Sequence, residues 1–173
     1  VTVFAGGIIY AADINALKPT ILTKGGSTSR TSTTTYAIDP DLQGISLTAG
    51  TYYIQLIGFF TTPSWSTNPK IKTQWRFTGT WTPFNRLTLG PGSDNTSAPT
   101  LSTSVDSAGV VVDSQDAVYS TYTGGAYASF REEAYGITVS APGTLGLYWA
   151  PSVSASTATT LQNGSTFSVL KYA

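Results

Sequence analysis

The sequence predicts an all-β protein: an antiparallel two-sheet sandwich, or jelly roll, with an extended N-terminal arm. Three observations predict it. A Gly-initiated turn followed by a half-buried strand occurs twice. Thr48-Ala49-Gly50-Thr51 leads into 52–57, and Ser140-Ala141-Pro142-Gly143-Thr144 leads into 145–149. Apolar and polar residues alternate with period two in several segments, as half-buried strands require. Ser and Thr supply 49 of the 173 residues while only 10% are charged. Threonine's branched Cβ suits a pleated surface.

In chain order, residues 1–24 read as an arm and 25–173 as the sandwich domain. Phe4, Ile8, Ile9 and Tyr10 are apolar and β-prone. Residues 13–18 suit one helical turn, capped by Asp13 and stopped by Pro19. Such an arm docks on its own domain or on a neighbouring subunit. The Gly/Ser/Thr-rich stretch 24–35 reads as a linker or polar edge strand, 36–38 as strand, and Asp39-Pro40-Asp41 as a turn.

Residues 51–61 form the first clear core strand. Tyr52, Ile54 and Leu56 share one face, and Tyr53, Ile57 and Phe59 share the other around Gln55. Two apolar faces mark a central strand that is sandwiched or meets another subunit. Residues 70–81 form a second strand, with Ile71, Thr73, Trp75, Phe77 and Gly79 opposite Lys70, Lys72, Gln74, Arg76 and Thr78. Residues 61–69 carry Pro63, Trp65 and Pro69 and read as a loop, and 83–99 as a long turn-rich one. Val110-Val111-Val112 is a short strand candidate. Strands at 117–122 and 127–139 flank a hairpin-like turn at Gly124-Gly125. Residues 145–150 follow Pro142-Gly143, and the last strand, 166–172, follows Asn163-Gly164. About eight short strands and almost no helix call for closed or protected edges. A two-sheet sandwich is the simplest solution, with an immunoglobulin-like sandwich as runner-up.

Composition narrows the function. Nine basic and nine acidic side chains give zero formal net charge, against a nucleic-acid binder or a polybasic membrane anchor. No apolar run approaches the ~18 residues of a membrane-spanning helix. No signal peptide is read at Val1, and the absence of Met implies initiator removal or trimming. Cys and His are both absent, which removes disulfides, thiolate nucleophiles and His-based triads. The chain reads as a non-enzyme with no cofactor, metal or small-molecule substrate.

A hydrolase would need paired carboxylates. Glu132 and Glu133 are neighbours in a strand, so they point to opposite faces. Arg131 and Glu133 share a face and are expected to pair with each other or with Lys70, Lys72 or Arg76. Asp113 and Asp116, with Asp106 nearby, could form a loosely spaced calcium site, but the EF-hand pattern is missing and solvated loop carboxylates are the favoured reading; the turn accounts for Asp39 and Asp41. Gly25-Gly26 and Gly90-Pro91-Gly92 lack a phosphate-loop Lys. Asn95-Thr96-Ser97 and Asn163-Gly164-Ser165 match the short glycosylation pattern, which arises by chance in a Ser/Thr-rich chain. The aromatics are the better lead. Trp65, Trp81, Phe84, Tyr119, Tyr122 and Tyr127 are candidate loop contacts, to a subunit or a sugar.

Several motifs resemble the small β-sandwich structural proteins of tailed bacteriophages, particularly capsid decoration proteins. Several of those have a jelly roll related in shape to tumour-necrosis-factor domains and assemble as trimers. The similar stretches are Leu47-Thr48-Ala49-Gly50-Thr51-Tyr52, 71–79, Phe130-Arg131-Glu132-Glu133 through Val139, Pro142-Gly143-Thr144-Leu145, Tyr148-Trp149-Ala150 and 163–169. They lie within 44–173. Gly7 through Leu17 resembles start segments of phage fibre and head-associated proteins.

The resemblance implies a homotrimer on the outer capsid surface of a virion, bound to the major capsid protein and clamping capsomers. The threefold interface would centre on Tyr53, Ile57 and Phe59. The arm residues Phe4, Ile8, Ile9, Tyr10, Ile14 and Leu17 would reach onto the capsid. The alternative is a tail or fibre-associated module that binds host surface glycan.

Overall fold

The computed structural model describes residues 18–62, 70–91, 101–102, 116–121 and 127–173. Its strands are β1 (Thr20–Thr23), β2 (Thr28–Arg30), β3 (Ala37–Ile38), β4 (Ile45–Leu47), β5 (Gly50–Thr61), β6 (Ile71–Phe77) and β7 (Thr80–Trp81). They continue as β8 (Leu87–Pro91), β9 (Leu101–Ser102), β10 (Ala117–Tyr119), β11 (Tyr127–Ala141), β12 (Gly143–Pro151), β13 (Thr159–Leu161) and β14 (Thr166–Lys171). No helix occurs among the described residues.

Two antiparallel sheets pack as a sandwich. The larger runs β1, β14, β5, β11, β8, β9, with β13, β2 and β7 attached. The smaller runs β10, β6, β12, β3, with β4 also on β12. Successive strands β4, β5 and β6, and later β10, β11 and β12, alternate between the sheets. Neighbours within a sheet therefore come from distant sequence, which is the wrapping of a jelly roll.

Inward positions of β5 carry Tyr52, Ile54, Leu56 and Phe60, all buried. They meet Trp75 of β6 and Leu145, Leu147 and Trp149 of β12 across a shared core. Trp75 lies 5.5 Å from the Phe167 ring and 6.2 Å from Phe84. Tyr119 stacks on Phe130 at 4.3 Å.

One irregularity decides which residues of β11 face inward. Its pairing with β5 slips between Ala134 and Ile137, and Gly136 adopts a left-handed φ of 72°. The extra residue of this bulge reverses the alternation. Phe130, Glu132 and Ala134 point inward before it, and Ile137 and Val139 after it.

The structure corrects several sequence expectations. The 70–81 segment is two strands, because the chain leaves the smaller sheet after Phe77 and joins β11 of the larger one as β7. A Cβ at Gly79 would lie 2.4 Å from the Ala141 carbonyl oxygen, so only glycine fits this crossing. The flanks of Gly124-Gly125 form no hairpin, since β10 pairs with β6 and β11 with β5 in the opposite sheet. Residues 83–91 are not a plain surface loop: they contain β8 and the buried Phe84 and Arg86. Strand β1 pairs with β14, so the arm drawn as 1–24 overlaps the sandwich at its end. The helical turn at 13–18 (apart from Lys18), the strand at 110–112 and the Asn95 motif lie outside the described residues.

Candidate association surface

Strand β5 runs between β14 and β11, so its outward residues occupy the middle of the larger sheet's free face. The pleat places Tyr53, Gln55, Ile57 and Phe59 there. Register builds rows across the face: Ile21, Ser168, Gln55, Glu133 and Leu87 in one, and Thr23, Thr166, Ile57, Arg131 and Leu89 in the next. Tyr53 and Ile57 are half-buried, and Phe59 is 40% exposed. Ile21 is 56%, Tyr135 64% and Tyr127 78% exposed. Apolar side chains of this size grouped on one sheet face are the surface type that meets another macromolecule.

A polar knot sits within the face. The Tyr53 hydroxyl donates to Glu133 Oε2 at 2.8 Å, and Arg131 Nη2 donates to the same oxygen at 2.5 Å. With its carbonyl oxygen turned toward the guanidinium, Gln55 accepts from Arg131 Nη2 at 2.9 Å and Nε at 3.1 Å. The Tyr53 ring stacks on Tyr135, two residues beyond Glu133 on the same face, at 4.5 Å. Burial pushes the Glu133 carboxyl up, but hydrogen bonds from Tyr53 and Arg131 outweigh it and hold it below the usual carboxylate range. Burial, with Glu133 and Tyr135 adding to it, pushes the Tyr53 hydroxyl up to about 12. The knot neutralises itself, so covering this face would leave no orphan charge.

Two further polar clusters lie inside the sandwich. Glu132 of β11 accepts from Thr73 Oγ1 of β6 and, at 3.0 Å, from the Tyr119 hydroxyl of β10. Arg86 Nη1 lies 3.2 Å from Glu132 Oε2 with both side chains buried. This network joins the two sheets through the core. The second cluster is at the end of β1, where Lys24 Nζ is 3.0 and 2.9 Å from the two carboxylate oxygens of Asp39. Both side chains are fully buried. Lys24 also donates to Thr28 Oγ1 at 2.7 Å and approaches Asp41 Oδ2 at 3.4 Å. A backbone hydrogen bond from Gly26 holds the Asp41 carboxyl below its usual range, with Lys24 adding to the effect.

Tyr53, Ile57 and Phe59 lie together on one open face, where the alternation placed them. Arg131 pairs with Glu133, while Lys72 and Arg76 sit on the outer face of the other sheet. The loop aromatics divide. Phe84 and Tyr119 are core residues, not contacts, because their rings pack on Trp75 and Phe130. Trp81 is half-buried against Phe77 and Phe84, and Tyr127 is open to solvent. Trp65, Tyr122 and the arm residues Phe4, Ile8, Ile9, Tyr10, Ile14 and Leu17 lie outside the described residues, as do Asp106 and Asp113. Asp116 accepts from Gln74 Nε2 at 2.8 Å. Among the described residues no group of three acidic side chains is placed to hold a metal, and no helix is long and apolar enough to cross a membrane.

No family model, curated protein or solved structure matches this chain.

Proposed function

We propose that this protein is a structural subunit of a phage virion that binds the outside of the capsid as a homotrimer and braces the shell by bridging capsomers. One observation carries the reading: the free face of the larger sheet groups exposed Ile21, Phe59 and Tyr135 around a knot whose charges already neutralise each other. Such a face tolerates burial, and a cyclic contact would reuse the same patch in every subunit. The motif resemblance supplies the capsid as partner. Repetition over a shell would multiply modest affinities. The role is mechanical and requires no catalysis.

Light scattering of the purified protein, followed by sedimentation with capsids that lack it, tests the reading. The expected result is a particle of three 18.2 kDa chains that saturates the shell. A monomer that ignores capsids overturns it. Binding to host-surface glycan instead would favour the tail-module alternative, for which Tyr127, the most exposed aromatic among the described residues, is a candidate platform.

A further inference from the structure

We propose that Lys24 and Asp39 become joined by an intramolecular isopeptide bond, with Asp41 carrying the protons. An amine forms an amide with a carboxyl when the two are held together, dried and served by a proton carrier. All three conditions are met here.

Nζ of Lys24 is nearly equidistant from Asp39 Oδ1 and Oδ2, at 3.0 and 2.9 Å. That puts it in the plane that bisects the carboxyl group, against the group it would attack, and such proximity takes the place of a bimolecular encounter. Both partners are fixed by their backbones. The Lys24 amide donates to the Ser165 carbonyl at 2.8 Å, and its own carbonyl accepts from Gly164 at 2.9 Å. The Asp39 amide donates to the Leu147 carbonyl at 2.8 Å. Arg30 grips the chain just before Asp39, donating to the carbonyls of Ala37 and Ile38 at 2.9 and 3.0 Å.

The carboxyl is arranged for acyl chemistry. Its Oδ1 accepts from the backbone amides of Asp41 and Leu42 at 3.1 and 3.2 Å. Two such donors stabilise the oxyanion of a tetrahedral intermediate. Its Oδ2 accepts from Trp149 Nε1 at 3.1 Å. Asp41 is the one member of the trio with access to solvent, and it faces Nζ. It is the carboxylate within reach of Nζ that can accept a proton from the ammonium and return it.

In the reaction Asp41 removes a proton from the Lys24 ammonium, and the free amine attacks Asp39 Cγ. A C–N bond forms, the Cγ–Oδ2 bond breaks, and Oδ2 leaves with two protons of the original ammonium as water. One amide N–H remains, and Asp41 ends as it began. A positive and a negative charge disappear together, so no oxidant or other reactant is needed. Burial favours the product, because an ion pair in a dry interior bears a desolvation penalty that a neutral amide does not. The link would staple the end of β1, in the larger sheet, to the turn that follows β3, in the smaller.

Intact-protein mass spectrometry of the full chain under denaturing conditions tests the proposal. The expected mass is one water below that of the sequence. Trypsin is expected to cut after Arg30 but not after Lys24, leaving the segment that ends at Arg30 attached to the one that begins at Thr31. The full sequence mass, with cleavage after Lys24 and both segments free, overturns the bond. Asp41→Asn keeps Lys24 and Asp39 and is expected to fold, by circular dichroism, with the full unlinked mass. An Asp41→Asn protein still one water lighter overturns the role given to Asp41.

Discussion

On the outer face of the smaller sheet, Lys72 lies 4.4 Å over the Tyr36 ring and Arg76 lies 4.3 Å over Tyr148. Arg76 also donates to Gln74 Oε1, whose amide nitrogen reaches Asp116. Cations there cover the aromatic rings, and their charged heads stay wet. On the outer face of the larger sheet, Tyr53 stacks on Tyr135 and the cation Arg131 is turned onto Glu133. Phe59 and Ile21 are left facing solvent. Both faces belong to one sandwich and draw on similar residue types. One uses its charges as a coat against water, and the other ties them up among themselves and leaves its apolar groups available.

The largest expected effect comes from putting a charge on the available face. Ile57→Asp should abolish the trimer, read by light scattering, while the far-ultraviolet spectrum is kept. Lys72→Glu, a larger change of charge on the coated face, should leave the oligomer intact. Equal behaviour of the two variants would erase the distinction between the faces.

Removing the carboxylate of the knot comes next. Glu133→Ala leaves the Arg131 guanidinium and the Tyr53 hydroxyl without their acceptor, which should cost about 2 kcal/mol in urea unfolding. Acid should act on the same group. Glu133 holds its proton more weakly folded than unfolded. Its stabilisation is therefore complete above the ordinary carboxylate pKa of about 4.3 and is lost as pH falls through the lower folded value. The unfolding midpoint should drop on that acid limb, and Glu133→Gln should make the limb shallower. Tyr53 works in the opposite direction: its contribution is complete below its ordinary value near 10 and is lost as pH climbs toward the folded value of about 12. Burial raises Tyr36 and Tyr119 as well, so all three tyrosines should contribute to an alkaline limb. Arg76→Ala should have the smallest effect, about 0.5–1 kcal/mol from the lost ring contacts, with no change in oligomeric state.

The sandwich was legible because alternation states its own geometry. Tyr53, Gln55, Ile57 and Phe59 share a face whatever the tertiary context, and Asn163-Gly164 announces a turn. The bulge in β11 was not legible. Gly136 is the one local hint, since a glycine inside a strand often marks a bulge, and only the pairing with β5 shows that the alternation reverses there. Glu132 illustrates a different gap. Adjacency showed that Glu132 and Glu133 face opposite ways but not which one faces the core. The partner that makes burial tolerable, Arg86, lies in a segment whose Gly and Pro content reads as loop. Lys24 and Asp39 escaped for the same reason. One opens a Gly/Ser/Thr-rich stretch and the other opens a turn, and their meeting depends on how β1 and β3 are set in the two sheets. Long-range pairing of charges leaves no periodic trace in a single sequence.

The register of the larger sheet also gives the molecule a direction. Thr20 sits opposite Val169, and Thr51 donates to the Ala173 carbonyl at 2.5 Å, so Thr20 and Ala173 are at the same pole. Thr61 is opposite Tyr127, the hydroxyls of Thr62 and Thr121 are hydrogen-bonded, and Ser120 donates to the Pro91 carbonyl at 3.2 Å. The connections that start after Thr62, Pro91 and Thr121 therefore depart from the opposite pole. For anyone wishing to display a foreign peptide, this is a ready-made handle and tip. A sequence grafted after Thr121 would leave the sandwich at the pole opposite Thr20 and Ala173.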